Sequence, residues 1–124
     1  MLHLYLLSMK TIVIILGLTL SSFTLLKNDV TPTIHTATWY DTTGHPKVHR
    51  EHSTAAYNHL PLHTKLIVTN LSNNKSDTVE VTDRMGKTRI NRIDLSKKSF
   101  GKLANHRQGV IKVSVKVLKE NPSN

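Results

Sequence analysis

The C-terminal stretch Gly109–Leu118 (GVIKVSVKVL) constrains the fold more than any other part of the chain. Ile111, Val113, Val115 and Val117 alternate there with Lys112, Ser114 and Lys116. A period of two puts the branched residues on one face of a strand and the polar residues on the other. The same grammar recurs upstream. Lys65–Asn70 (KLIVTN) and Asp77–Thr82 (DTVEVT) are strand-like and are separated by Leu71–Ser76 (LSNNKS), whose turn chemistry predicts a hairpin. Thr36–Tyr40 (TATWY) and Arg92–Leu95 (RIDL) are rich in β-formers. Ser96 is placed to cap a short helix through Leu103 with Phe100 and Leu103 on one face, at the cost of an interior Gly101. Short strands, one helix and a final long strand predict a mainly β fold, a small mixed β-barrel whose closure leaves no open edge.

The chain of 124 residues has no cysteine, which excludes disulfides, thiolate metal sites, a thiol nucleophile and an N-terminal lipid on cysteine. Residues Thr11–Leu26 carry no charge. Their apolar centre of about ten residues suits a secretory leader and is too short to span a bilayer. The expected organisation is a signal peptide over 1–26 with an alternative start at Met9, a linker over 27–35, a folded domain over 36–118 and a tail over 119–124. An uncleaved anchor is the rival reading of the leader, and either one places the domain outside the cytoplasm. Beyond the leader stand 16 basic and 8 acidic residues. Outside the cell this excess favours anionic wall polymers and lipid head groups, and with no Arg-rich tract or aromatic stacking cluster it disfavours nucleic acid.

Several strings then occur in an order that resembles the rare lipoprotein A family: Ala37-Thr38-Trp39-Tyr40, Thr54-Ala55-Ala56, Leu60-Pro61, Thr64 to Leu71, Asp83-Arg84, Arg92-Ile93-Asp94-Leu95-Ser96 and the closing valine strand. The resemblance covers Thr36 to Leu118. It implies a six-stranded double-psi β-barrel with a groove on one face, no cofactor, and action on the glycan strands of peptidoglycan as a lytic transglycosylase. Such an enzyme needs one carboxylate, because the C6 hydroxyl of N-acetylmuramic acid attacks within the substrate, where hydrolysis commonly takes two.

Asp83 matches the aspartate the family uses as acid and base, a role favoured by burial or a nearby carboxylate and opposed by pairing with Arg84. The alternative for Asp83 is a backbone-bonded strand end. Asp94 is the second acidic candidate, with a helix-capping role as its alternative. Active members carry histidine after Thr-Ala-Ala. Here that position is Tyr57, and His59 lies on the same side of an extended strand as a partial substitute. Glu51 is the nearest counterpart of a family glutamate. Of Trp39 and Tyr40, alternation sends one ring to the core and the other to the groove wall, where an aromatic face stacks on sugar.

His45, His49, His52, His59 and His63 read as a rim of exposed imidazoles; Pro46 breaks any helical spacing that would present metal ligands, so no metal is expected. Lys97, Lys98, Lys102 and Arg107 read as a solvated face or as a nonspecific attraction for wall anions. The expected protein is an exported monomer that binds wall glycan. A non-catalytic, expansin-like wall-loosening module is the alternative.

Overall fold

A computed structural model of the chain describes residues 31–44, 46, 51–87 and 89–119. The leader and residues 27–30 of the expected linker lie outside the described residues, as do His45, His49 and the chain from residue 120 onward. The described residues form six strands: β1 (Thr33–Tyr40), β2 (Thr54–Ala56), β3 (Lys65–Asn70), β4 (Ser76–Asp83), β5 (Arg92–Ser96) and β6 (Ile111–Val117). The helix α1 (Lys97–Leu103) and a 3-10 turn (His106–Gln108) stand between β5 and β6. The strands close into a barrel in the order β1-β5-β2-β4-β3-β6.

β3 and β4 form the expected antiparallel hairpin, with Leu66 opposite Val79. β6 lies between β3 and β1, antiparallel to both. Two pairings are parallel, β1 with β5 and β2 with β4. Parallel neighbours need a crossover connection, so these pairs could not be joined by tight turns.

β1 starts at Thr33, three residues before the expected Thr36, because Thr33–Ala37 pair with Val115–Ile111 of β6. His35, expected in the linker, is therefore a buried strand residue at 6% exposure. β2 has only three residues, all buried, and is too short to show any periodicity.

The core is the inward half of this alternation. Ala37, Ala55, Leu66, Val68, Val79, Val81, Ile93, Leu95 and Val113 are fully or almost fully buried inside the barrel, with Phe100 and Leu103 of α1 beneath one end. Ser96 caps α1 through a side-chain bond from the Ser99 amide. At the other end of α1, the Leu103 carbonyl accepts from the side chains of Asn70 and Asn73, which ties the β3–β4 turn to the helix.

Candidate functional site

The outward face of β1, β5, β2 and β4 carries the polar residues that the alternation excludes from the core. Ala56 sits at its centre. On one flank it registers with Asp94 of β5, on the other with Asp83 of β4. The second pairing depends on a bulge: Ala55 pairs with Val81 but Ala56 pairs with Asp83, so Thr82 is the extra residue. An unbroken register would have set Thr82 beside Ala56; the bulge substitutes the acid. Two carboxylates thus flank a methyl side chain, with their backbones two strand spacings, roughly 9–10 Å, apart.

Asp83 is exposed, and its Oδ1 accepts the Arg84 amide at 2.7 Å. The Arg84 guanidinium is engaged elsewhere, donating to the Tyr57 carbonyl at 2.8 Å, and no ion pair joins it to Asp83 among the described residues. Asp94 is half-buried and accepts from the Thr38 hydroxyl at 2.8 Å. Tyr40 completes this face. Its hydroxyl shares a 2.8 Å hydrogen bond with Thr54. Burial pushes the Tyr40 phenol pKa above its ordinary value; the Thr54 bond draws it back, and the negative charges of Asp94 and then Asp83 push it up again. One neutral phenol therefore feels both acids.

Trp39 points the other way. Its ring packs against Phe100 and His106, its Nε1 donates to the His106 carbonyl at 3.2 Å, and the Lys97 ammonium stands 5.7 Å from the ring centroid. Trp39 secures α1 to the barrel, and Tyr40 is the aromatic residue of the acid-bearing face.

Tyr57 and His59 come together, with ring centroids 5.2 Å apart, but at the mouth of the barrel rather than over Ala56. The Tyr57 ring is 3% exposed and its hydroxyl lies 3.0 Å from Nε2 of His35. Burial raises the pKa of this phenol. His59 donates from Nε2 to the Ile90 carbonyl. These three rings line a cavity of about 410 Å³ with Ile34, Leu60 and Val117; Asp83 is not part of its wall. The physical reason is strand alternation: the residue after outward Ala56 faces inward.

Glu51 lies with His52, Lys98 and Lys102 along a second hollow of about 670 Å³ that runs over Thr54, Glu80 and Thr82. This hollow meets the acid-bearing face at Thr54, the partner of Tyr40. Among the described residues no group of three or more His, Asp or Glu side chains is arranged to hold a metal ion. Inspection of sequence missed Thr38, Thr54 and His35 as site residues. Thr38 was within reach, since it precedes Tyr40 by two and alternation puts both on one face.

Residues 33–115 match the family model described as lytic transglycolase, a double-psi β-barrel domain. The chain belongs to this family. An uncharacterised protein of Synechocystis is 43% identical to this lytic transglycolase-family barrel over 61 residues, which are 49% of the chain and 63% of that protein. Among solved structures, a mutant Clavibacter michiganensis expansin in complex with cellohexaose superposes with a TM-score of 0.60 at 19% identity over 75% of this chain. The apo form of that expansin gives 0.58 at 18% identity over 74% of the chain. The chain spans about half the length of each expansin, 53% and 52%. The Streptomyces papain inhibitor gives 0.54 at 22% identity, covering 71% of this chain and 96% of the inhibitor. At these identities the structural likenesses establish the shared barrel.

Proposed function

We propose that this chain is an exported protein that binds peptidoglycan glycan across Ala56 and cleaves it as a lytic transglycosylase, with Asp83 as acid and then base. The observation that carries this reading is the flanking of Ala56 by Asp83 and Asp94. A methyl side chain between two acids fills less of the floor than any larger residue would. Asp83 is exposed rather than buried, so a substrate can reach it; its Oδ1 accepts the Arg84 amide, but the Arg84 guanidinium, whose pairing would have opposed proton donation, is turned to the Tyr57 carbonyl.

In the proposed reaction the Asp83 carboxyl protonates the glycosidic oxygen as the bond from C1 breaks. The resulting carboxylate accepts the proton of the C6 hydroxyl as O6 bonds to C1. The product end is a 1,6-anhydro-N-acetylmuramic acid, and atoms balance without water. Asp94, oriented by Thr38, supplies negative charge to the oxocarbenium-like transition state, and Tyr40 offers a ring face and a neutral hydroxyl to the sugar.

One observation favours a second reading, glycan binding with loosening but no cleavage. The Tyr57 side chain faces His35 inside the barrel mouth, so β2 presents no imidazole beside Asp83 where active family members carry histidine. Release of anhydro-muramyl products from peptide-free glycan, lost in Asp83→Asn with glycan binding kept, supports cleavage. Glycan retention by the wild-type chain without any product supports loosening, and no retention of glycan overturns both.

A further inference from the structure

Tyr57 makes more connections to the Asp83 segment than a core tyrosine requires. Its amide donates to the Asp83 carbonyl at 3.0 Å. Its carbonyl accepts from the Arg84 guanidinium at 2.8 Å, and the next side chain, Asn58, accepts the Met85 amide at 2.8 Å. Three consecutive residues, Asp83, Arg84 and Met85, are thus held by two consecutive residues, Tyr57 and Asn58. Ladder pairing between β2 and β4 ends at Ala56 and Asp83, just past the Thr82 bulge, so these bonds are what continue the attachment beyond the strand ends.

Those backbone bonds are only as well placed as Tyr57 itself, and its ring is fixed from the opposite side. The phenol meets Nε2 of His35 at 3.0 Å, and the same nitrogen lies 2.9 Å from the Thr33 hydroxyl. The His35 ring stands edge-on to Tyr57 with centroids 5.3 Å apart, and His59 packs against both. His35 is itself immobilised in β1, where it pairs with Val113 of β6. A continuous chain of contacts therefore runs from β1 through His35 and Tyr57 to the backbone of Asp83.

We infer that Tyr57 is a positioning residue for Asp83: anchored by its hydroxyl on buried His35, it holds the Asp83–Met85 segment so that the carboxyl stays beside Ala56. Tyr57 touches no substrate in this role. The departure from the family's histidine gives up an imidazole beside the acid and gains a strut behind it. The inference rests on the acid-bearing face being the working site, yet the strut can be tested without any reaction.

The experiment compares the full-length wild-type chain with Tyr57→Phe, His35→Leu and His35→Gln, reading the Arg84 and Met85 amide signals by NMR and glycan cleavage by product release. Tyr57→Phe keeps the ring and removes the anchoring hydroxyl. His35→Leu removes the hydrogen-bonding partner, and His35→Gln retains one. The expected result is displaced Arg84 and Met85 amide signals in Tyr57→Phe and His35→Leu, a fall in kcat of roughly tenfold with KM unchanged, and recovery of both readouts toward wild type in His35→Gln. The double variant Tyr57→Phe, His35→Leu should be no worse than either single one. Unmoved Arg84 and Met85 amides in a folded Tyr57→Phe overturn the inference, and if that variant does not fold, the two His35 variants decide on the same signals. A wild-type chain that makes no product overturns the cleavage reading alone, and the amide signals then decide the strut.

Discussion

Asp83 and Asp94 never pair with each other; each registers with Ala56 from opposite sides of β2, and a bulge at Thr82 is what gives Asp83 its place. This relationship assigns distinct surroundings to the two acids. Asp94 is half-buried and receives the Thr38 hydroxyl, whereas Asp83 is exposed and receives a backbone amide. Acid and base work asks for the group that can meet substrate and exchange its proton, so Asp83→Asn should lower product release by about 10²–10⁴-fold with glycan retention unchanged. Asp94→Asn should cost less, because a neutral amide still accepts from Thr38. Product analysis on peptide-free glycan checks both, and equal losses would contradict the division of roles.

Ala56 offers a test of the floor between the acids. Ala56→Leu projects three additional carbons over the space the two carboxylates flank. Retention of glycan should fall at least tenfold, with stability reduced by about 1–3 kcal/mol, the usual cost of overpacking. Sedimentation with insoluble glycan and a denaturant titration separate these effects. A variant that binds glycan as wild type does would place the sugar elsewhere.

Gly101 lies inside α1, where glycine ordinarily costs roughly 0.5–1 kcal/mol relative to alanine. A Cβ at this position would lie 2.8 Å from Cε1 of His106. The His106 ring is not free to retreat, since it stacks on Phe100, meets Trp39 edge-on and hydrogen-bonds the Lys97 carbonyl at 2.7 Å. Gly101→Ala should therefore lower the midpoint of thermal unfolding in the wild-type chain. In a His106→Ala background the same change should raise it, and calorimetry on the four proteins completes the cycle.

His35 makes the barrel sensitive to acid. Burial holds its pKa below the ordinary 6.5, the neighbouring His59 charge lowers it further, and the Asn91 carbonyl opposes them. The unfolded chain then binds the proton more tightly than the folded one, so the stability associated with neutral His35 is complete above about pH 6.5. It is lost as pH falls from there toward the folded value. Chemical denaturation between pH 8 and pH 4.5 should show this decline, and His35→Gln should flatten it. A decline of equal size in that variant would assign the effect to other groups.

Asp77 adds a second, more acidic limb. Burial raises its pKa, but hydrogen bonds from Lys102, Ser53 and Ser99 together with the Lys102 charge outweigh burial and hold the carboxyl below 3.8. The Lys102 ammonium stands 2.8 Å from Asp77 Oδ1, with Asp77 only 10% exposed. A depressed carboxylate stabilises the fold above its unfolded value and ceases to do so as pH falls through the folded one. Lys102→Met should lower stability at pH 7 and reduce the pH dependence below pH 4, read by the same denaturation series.

Elements long enough to show a period are legible in the amino-acid order itself. The β3–β4 hairpin, β5, β6 and the Ser96-capped helix follow from alternation, turn residues and one capping serine. β2 is not legible by pattern, because three residues show no period; it is recognisable through its resemblance to the family string. The start of β1 escapes for a different reason: Thr33 and His35 are polar and follow Pro32, and pairing of Thr33–Ala37 with β6 is what makes them strand. The acids can be named individually from their motifs, yet neither the Thr82 bulge nor the inward turn of Tyr57 has a signature of its own.

The amino-acid order by itself thus determined which residues of the longer strands face the core, because alternation is a local property of each strand. It also determined, through cysteine's absence, that closure and packing rather than covalent bridges hold the barrel together. Tertiary structure alone decided which residues distant in sequence meet. Asp83 and Asp94 are brought to the same alanine by one parallel and one antiparallel pairing, and His35 reaches Tyr57 across the barrel mouth. Pairings of that kind depend on how distant strands bury their apolar faces against one another, a condition satisfied only when the barrel closes.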